Sequence, residues 1–408
     1  MNKENLIQKN YLIYSLILIT FLSRLFMVFF LRDTHLENEW QTLLNNLINY
    51  KSYSFYTFQE QLIPSAYMPP VYPFFLYIIY LITNILNINF LNTIIFIQIL
   101  LATYSVYLFY QINLNFFKQK ISLINSFIFT LIPLNIYYCG QISSINLQIL
   151  LSLLFLKFLI LLVNKEEIIN LIIFSATSGL LILTRGEFIL IFILIVSYIL
   201  FCKKTKLINL VKIFSIIILI TSPYVIRNYI HFDQFFFVKS LGYNLWKGNN
   251  QLSIVQGYED LRNLEFNKLN NKLQKIEKNS IYEISRDKVF LDEAIVNLKS
   301  NPISYIKLYV KKFFSYYFID LNSKYPNYYN IFHISPLLLI SALSFPGLIT
   351  FFKEKNFERR SFGLYLISNL VIFSIFFILP RYKLIILPIQ IILAANFIIY
   401  IVRKYGIK

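Results

Sequence analysis

Residues 11–40 read YLIYSLILITFLSRLFMVFFLRDTHLENEW, a long apolar run that ends in a short acidic stretch. Residues 11–31 are apolar enough and long enough to cross the hydrocarbon core of a bilayer as one helix. No small-residue cleavage site follows them, so we expect a retained spanning helix and not a signal peptide. Glu37 and Glu39 would then lie at the edge of the membrane, and two carboxylates so close to the end of an apolar helix need a structural or functional reason.

The rest of the chain has the composition of a polytopic membrane protein. Its 408 residues are 57% hydrophobic and 14% charged, with a mean hydropathy of +0.60, and no soluble domain of this length could bury so much apolar surface in one core. We expect an all-α bundle of about 10–11 transmembrane helices. The apolar segments are 11–31, 70–86, 90–112, 121–138, 145–163, 167–184, 187–202, 207–226, 333–352, 361–380 and 383–402.

The basic residues are spread over many short loops. They give a net charge of +18, but in a membrane protein such residues set helix orientation and attract anionic headgroups. Membrane lipids are therefore expected partners and nucleic acid is not. Four basic stretches are predicted to be cytoplasmic. They are 118–120, 203–206, 353–360 and 403–408.

Two polar inserts interrupt the apolar segments, at residues 32–69 and 228–332. The basic loops place insert 228–332 outside the cytoplasm, and the basic amino terminus places insert 32–69 there as well. No repeat or linker stands out, so we predict a single membrane-embedded domain, residues 1–408. It includes 32–69 as a first extracytoplasmic loop and 228–332 as a larger extracytoplasmic helical segment.

The number of crossings does not agree with this orientation in one region. Lys3 and Lys9 predict a cytoplasmic amino terminus, which leaves one crossing too many or too few between insert 32–69 and loop 118–120. Either a helix in 70–112 is re-entrant or miscounted, or the charge of one loop predicts the wrong side of the membrane for that loop.

The first insert predicts a short amphipathic helix in the membrane interface, since its apolar residues recur at helical spacing. The stripe consists of Trp40, Leu43, Leu44, Leu47 and Ile48. Thr34 stands three residues before Glu37, the spacing of a capping box, which favours a structural role for Glu37. Helix neighbours two apart point about 200° apart, so at most one of Glu37 and Glu39 faces a given pocket. Glu37 lies nearer the stripe; if capping occupies it, the functional role falls to Glu39.

The stretch PSAYMPPVYPFF (64–75) follows, with consecutive prolines that force a turn and then begin a helix. An acidic and aromatic stretch, an amphipathic helix and MPPVYPFFLY, in this order, resemble the start of membrane glycosyltransferases of the GT-C fold. The resemblance is strongest to the family-39-like branch, with its dolichyl-phosphate-mannose protein mannosyltransferases and bacterial aminoarabinose transferases. Three later stretches resemble motifs of that family: GLLILTRGEFIL (179–190), SPYVIRNYIHFDQFFFVKSLGYNLWKGNN (222–250) and LPRYKLIILP (379–388).

The resemblance implies an inverting glycosyltransferase of the bacterial inner membrane, with an active site that faces the periplasm. It implies a polyprenyl-phosphate sugar as donor and a glycan, lipid or protein as acceptor, with no obligatory metal and no cofactor. The family usually has Asp-Glu four and three residues before an aromatic, whereas here Leu36 and Glu37 precede Trp40. The catalytic carboxylate is therefore expected at Glu37 or Glu39, or else the chain is an inactive scaffold.

Sugar transfer from a lipid phosphate needs a carboxylate near the acceptor hydroxyl and cations at the departing phosphate. Arg185, Arg227 and Arg381 each end an apolar segment predicted to face outward, where a guanidinium can bind phosphate oxygens bidentately. Lys383 is a further candidate, although a basic residue at a helix end can also simply snorkel to the interface. The residues expected to line the substrate site are Trp40, Tyr67, Tyr72, Trp246 and Asn249.

Two other classes of membrane protein remain open. A lipid or sugar transporter or flippase should place acids or broken helices near the middle of its spanning segments, whereas the candidate acids here follow the first helix. An O-antigen polymerase or ligase also has a large external loop, and would depend on loop arginines and histidines.

Overall fold

The computed structural model describes residues 3–323, 330–354 and 356–406, without the side chains of residues 3–10 and Asn38. The side chains of Lys3 and Lys9, and the residues Lys355 and Lys408 of two predicted cytoplasmic stretches, thus lie outside the described part. The strands are β1 (Ser54–Phe58) and β2 (Gln61–Pro64). The helices are α1 (Lys3–Phe30), α2 (Asn38–Tyr50), α3 (Val71–Leu86), α4 (Phe90–Asn113), α5 (Gln119–Leu131), α6 (Pro133–Tyr137), α7 (Ile145–Asn164), α8 (Ile168–Thr184), α9 (Phe188–Phe201), α10 (Leu207–Phe232), α11 (Leu241–Gly248), α12 (Asn267–Gln274), α13 (Tyr282–Ser300), α14 (Pro302–Tyr317), α15 (Ile331–Lys353), α16 (Phe357–Ser374) and α17 (Lys383–Tyr405).

Every apolar segment predicted from the sequence is largely helical, which confirms the all-α polytopic membrane fold. In the described part, six helices are long and apolar enough to cross a membrane, namely α1, α4, α7, α10, α15 and α17, and three shorter apolar helices are α3, α8 and α9. Segment 121–138 is divided into α5 and α6. The division falls at Ile132, whose backbone is extended (ψ 117°) because the proline that follows disfavours the helical conformation.

Helix α3 begins and ends on the same face of the bundle. Tyr72 in its first turn packs on α2, and Lys51 donates a hydrogen bond to Tyr77 Oη near its middle (3.1 Å). Beyond its end, Arg32, which follows α1, donates to Asn92 Oδ1 in the first turn of α4 (2.8 Å). Both ends of α3 thus lie close to the first insert, and we infer that α3 lies along that face of the bundle.

With α3 on the surface, the crossings agree with the loop charges. The starts of α7 and α9, the end of α8 and the segment just before α17 line one cavity. Since a 20-residue helix is about 30 Å long, the other ends of these helices lie at the opposite face. The basic loops 118–120 and 203–206 belong to that face. A helix within 70–112 that does not cross the membrane is among the explanations that the sequence left open, and it stays a prediction.

The first insert forms α2 and a β-hairpin. Leu43, Leu44 and Leu47 of the predicted stripe are buried. Helix α2 begins at Asn38, so the N-cap position is Glu37, whose side chain makes no capping hydrogen bond. The predicted capping box at Thr34 is therefore wrong, because the helix starts too late for Thr34 to cap it. The antiparallel pair β1–β2 was not predicted.

The second insert forms a small extramembrane unit, the outer subdomain, which comprises residues 241–300. Its core is an apolar cluster from α11, α12 and α13 with the segment between them. The cluster consists of Trp246, Phe266, Leu269, Phe290 and Ala294. Gly248 at the end of α11 packs so closely on the bundle that a Cβ there would lie 2.1 Å from Phe376 O. The outer subdomain therefore lies against the segment that leads into α17.

Helix α17 is the centre of the bundle. All its residues from Lys383 to Ala394 are buried, and it packs on α15 along its length. A helix that is apolar on every side is expected in such an interior position. Because α17 is enclosed, the short segment 376–382 before it is held firmly where the outer subdomain and the bundle meet.

Candidate active site

A cavity of about 510 Å³ opens between the first insert, the outer subdomain and the helix ends of the bundle. We call it the central cavity. Segments that are far apart in sequence meet there: the start of α2, the turn before α3, the start of α7, the turn between α8 and α9, helix α11 and the segment before α17. Of the predicted site residues, those that line the central cavity are Glu39, Trp40, Tyr67, Tyr72, Arg185 and Arg381.

The two candidate carboxylates have different positions. Both side chains are exposed and border a shallow recess, but Glu39 also lines the central cavity and Glu37 does not. Partial burial, helped by the charges of Glu37 and Glu259, raises the pKa of Glu39 against the opposing effect of Lys247 and Arg381. The prediction from helix spacing does not apply to this pair, because Glu37 precedes α2 in an extended conformation (φ −62°, ψ 151°); of the two acids it is Glu39, and not Glu37, that lines the central cavity.

Arg185 has free hydrogen-bonding capacity inside the central cavity. It is the C-cap of α8, and its guanidinium carbon lies 4.1 Å from the ring centre of Tyr382 and 4.6 Å from that of Phe373. Its Nη1 atom is buried and has no hydrogen-bond partner among the described residues. A buried donor without a partner is costly, so an anionic ligand at this position would be stabilised.

The other cations of the central cavity are Arg381, in the turn before α17, and Lys247 of α11. Lys247 forms an ion pair with Glu259, which also accepts a hydrogen bond from Tyr243 Oη (2.7 Å). Partial burial opposes ionisation of Glu259, but the bonds from Lys247 and Tyr243 outweigh it and lower the pKa of that carboxyl group. Lys247 is therefore already neutralised, unlike Arg185.

The aromatic lining of the central cavity is positioned by the first insert and by Glu283. The Trp40 and Tyr72 rings meet edge to face with centroids 5.0 Å apart. Tyr67 lies in the turn before α3, where the backbone N–H groups of Ala66 (2.5 Å) and Tyr67 (2.8 Å) donate to the buried carboxylate of Glu283. Glu283 belongs to α13, so the outer subdomain holds the turn that presents Tyr67.

Two predicted phosphate-binding cations lie outside the central cavity. Arg227 donates to the backbone oxygens of Ser65 (2.7 Å) and Tyr53 (3.0 Å), and so ties the end of α10 to the first insert. Lys383 is buried in the bundle, where it donates to Ser341 Oγ (2.8 Å) and to the carbonyl of Tyr317 at the end of α14. Both cations already have protein partners.

Two predicted lining residues also have structural positions. Trp246 is fully buried in the core of the outer subdomain. The Asn249 side chain donates to the carbonyls of Leu245 (2.9 Å) and Ile375 (2.8 Å) and accepts from Lys312 (3.0 Å), which fixes the turn after α11.

Sequence reasoning missed Tyr243, Glu187 and Glu259, which line the central cavity. Tyr243 and Lys247 are four residues apart in α11 and thus share a face, so helical periodicity could have selected that face in place of Trp246. Glu187 stands two residues after Arg185 and could have been found by proximity. Nothing in the sequence around Glu259 distinguishes it from other loop acids. Within the described residues, no three His, Cys, Asp or Glu side chains are grouped so that they could hold a metal ion.

No model of a known protein family matches the chain, and no curated protein does. Solved structures of the oligosaccharyltransferase of Archaeoglobus fulgidus are similar. The archaeal oligosaccharyltransferase AglB in complex with an inhibitory peptide and a dolichol-phosphate aligns with a TM-score of 0.59 at 13% identity, over 99% of this chain and 51% of that one. The structure in complex with Zn and sulfate aligns with a TM-score of 0.58 at 14% identity, over 97% and 49%.

The chain thus spans about half the length of the structures that it matches. An alignment over nearly all of this chain shows that it has their fold, the GT-C fold of membrane glycosyltransferases. At such low identity the likeness extends to the fold alone.

Proposed function

Because the chain has the GT-C fold and an acid and a free guanidinium in one cavity, we propose that it is an inverting glycosyltransferase. It takes a sugar from a polyprenyl-phosphate donor and transfers it to an acceptor on the extracytoplasmic side of the membrane. The observation that carries the proposal is that Glu39 and the unpartnered Nη1 of Arg185 line the same central cavity. They are the two groups that this chemistry requires.

In the proposed reaction the acceptor hydroxyl attacks the anomeric carbon of the sugar from the face opposite the phosphate. The bond between that carbon and the phosphate oxygen breaks as the new glycosidic bond forms, which inverts the anomeric centre. Glu39 accepts the hydroxyl proton, and the departing polyprenyl phosphate keeps the electron pair of the broken bond. Arg185, with Arg381 nearby, stabilises the negative charge that develops on the phosphate.

The raised pKa of Glu39 suits the role of a base. A carboxylate with raised basicity takes a proton more readily, provided that it is ionised at the working pH. Glu259 is less suited to this role, because Lys247 and Tyr243 already occupy its carboxylate. Trp40, Tyr67 and Tyr72 offer ring faces on which the sugar can pack.

The position of the central cavity supports an extracytoplasmic site. It lies at the face opposite the basic loops, and basic loops are cytoplasmic in most membrane proteins. A bacterial inner membrane, with the cavity towards the periplasm, follows from the family resemblance. A neighbour of the same fold was solved with a dolichol-phosphate and a peptide, which supports a lipid-phosphate donor for this chain.

Transfer by the purified chain from a panel of polyprenyl-phosphate sugars tests the proposal. We expect turnover with at least one donor, and Glu39→Gln should lower it about a hundredfold or more, since general-base assistance is removed. Glu37→Gln is the matched control and should change turnover little. Absence of transfer from every donor, or equal turnover in both variants, would contradict the proposal.

A further inference from the structure

A second recess, which we call the outer pocket, lies between the β-hairpin of the first insert and the outer subdomain. Its volume is about 360 Å³, within the range of roughly 300–1,000 Å³ in which proteins bind small ligands. Its polar lining consists of Tyr56, Asn270, Gln274, Lys278, Tyr282 and Arg286. The proposed function assigns no role to any of these residues.

We propose that the outer pocket binds the acceptor and that the acceptor is an acidic saccharide. The inference rests on the proposed function, since only a transferase has an acceptor. The polar lining offers amide, phenol, ammonium and guanidinium donors. Two of these groups are cations, and no carboxylate lines the pocket in the described part of the chain. This balance suits a ligand with many hydroxyl groups and a negative charge.

Two tyrosine rings give the outer pocket rigid, flat walls. The ring of Tyr56 meets that of Tyr282 nearly edge to face, with centroids 5.1 Å apart, and Tyr282 meets Phe58 in the same way at 4.9 Å. The ammonium group of Lys278 lies 5.7 Å from the ring centre of Phe58. An aromatic ring with a phenol hydroxyl offers both an apolar face and a polar end. A sugar ring has matching C–H faces and hydroxyl edges.

Arg286 is the group best placed to select an anionic ligand. Its guanidinium lies 5.2 Å from the ring centre of Phe290 and 5.6 Å from that of Tyr243. No hydrogen bond joins it to another described residue, so its N–H groups remain available. A guanidinium binds a carboxylate through two parallel hydrogen bonds, which a neutral sugar cannot reproduce.

Tyr243 lies between a residue of the outer pocket and a residue of the central cavity. This ring contacts Arg286 on the side of the outer pocket and Tyr67 on the side of the central cavity, with ring centroids 5.7 Å apart. Tyr67 and Tyr243 line the same cavity as Glu39. A saccharide chain held in the outer pocket could therefore extend one hydroxyl group towards Glu39.

Binding to the purified full-length chain without donor tests the inference independently of catalysis. The probes are tetragalacturonate, neutral maltotetraose and a hexaglutamate peptide, measured by calorimetry. We expect tetragalacturonate to bind most tightly. Its affinity should fall about tenfold in Tyr56→Leu, which removes an aromatic wall of the pocket, and about tenfold in Lys278→Gln, which removes a positive charge.

Matched controls come from exposed residues that do not line the outer pocket. Lys275→Gln removes a neighbouring exposed charge, and Tyr50→Leu removes a tyrosine that is 65% exposed on α2; both should leave affinity unchanged. Failure of tetragalacturonate to bind, equal affinity in pocket and control variants, or tighter binding of hexaglutamate would each overturn the inference. Donor turnover with no tetragalacturonate binding would refute the acceptor site alone, whereas binding without turnover would refute the proposed function.

Discussion

At the scale of single residues, Glu37 and Glu39 show how one position decides chemistry. Helix periodicity predicted that at most one of them faces a given pocket, but Glu37 precedes α2 in an extended conformation, so helix spacing does not apply to the pair. Which acid faces inward depends on where α2 begins and on how α2 packs against α3. Both depend on tertiary packing, so the sequence alone could not show which of the two glutamates lines the cavity.

The pH dependence of transfer gives a test of Glu39 at this scale. The base must be ionised, so activity should fall as pH drops through its raised pKa, at higher pH than for an ordinary glutamate. Glu259→Gln removes a negative neighbour that raises the pKa of Glu39, so the acidic limb of the kcat/KM profile should move to lower pH. Lys247→Gln removes a positive neighbour and should move it to higher pH. Shifts of the same sign, or none, would argue against Glu39 as the base.

The arginines carry a similar lesson. Arg185 and Arg227 each follow or end an apolar segment, so from the sequence alone they are equally good candidates for binding phosphate. In the structure Arg227 donates a hydrogen bond to the backbone of the first insert, whereas Arg185 retains a buried donor without a described partner. Hydrogen-bond partners from distant segments make this distinction, and they are not visible in local sequence.

At the scale of elements, helices were more predictable than the structures between them. Apolar length is a local property, which is why α4, α7 and α17 could be located from the sequence. The β-hairpin was missed although Ser54–Phe58 is rich in aromatic residues, which favour strands. Apolar composition alone could not show whether α3 crosses the membrane, because that depends on its contacts with Lys51 and with α2.

The contact between α11 and the segment before α17 can be tested with glycine variants. Gly248→Ala would place a Cβ atom 2.1 Å from Phe376 O, so the chain must shift, and we expect a loss of about 1–3 kcal/mol in the free energy of unfolding. Gly186→Ala is the control, because no atom lies within 4 Å of its added Cβ. Thermal unfolding compares the two. Equal melting temperatures would show that α11 is not packed as described.

At the scale of the whole molecule, the fold class followed from composition and the site did not. The central cavity is built from helix ends that are far apart in sequence, and only the bundle brings them together. Family resemblance selected several of these segments correctly, yet it also selected Trp246 and Asn249, which stabilise the outer subdomain and its junction. A motif marks a segment, while the packing of that segment decides which side chain faces the substrate.

The topology predicts which positions share a side of the membrane. In a Cys202→Ser background, where the remaining Cys139 is fully buried, single cysteines at Asn87, Glu60 and Lys165 can be labelled with a membrane-impermeant maleimide in sealed vesicles. Asn87 ends α3 and should react on the same side as Glu60, while Lys165 should react on the other side. Labelling of Asn87 together with Lys165 would mean that α3 crosses the membrane.

The most direct test of the shared cavity is an experimental structure of the chain with a bound polyprenyl phosphate. We predict that the phosphate lies within hydrogen-bond distance of Arg185 Nη1, in the same cavity as the Glu39 carboxylate. A phosphate bound elsewhere, with Arg185 still without a partner, would contradict the account.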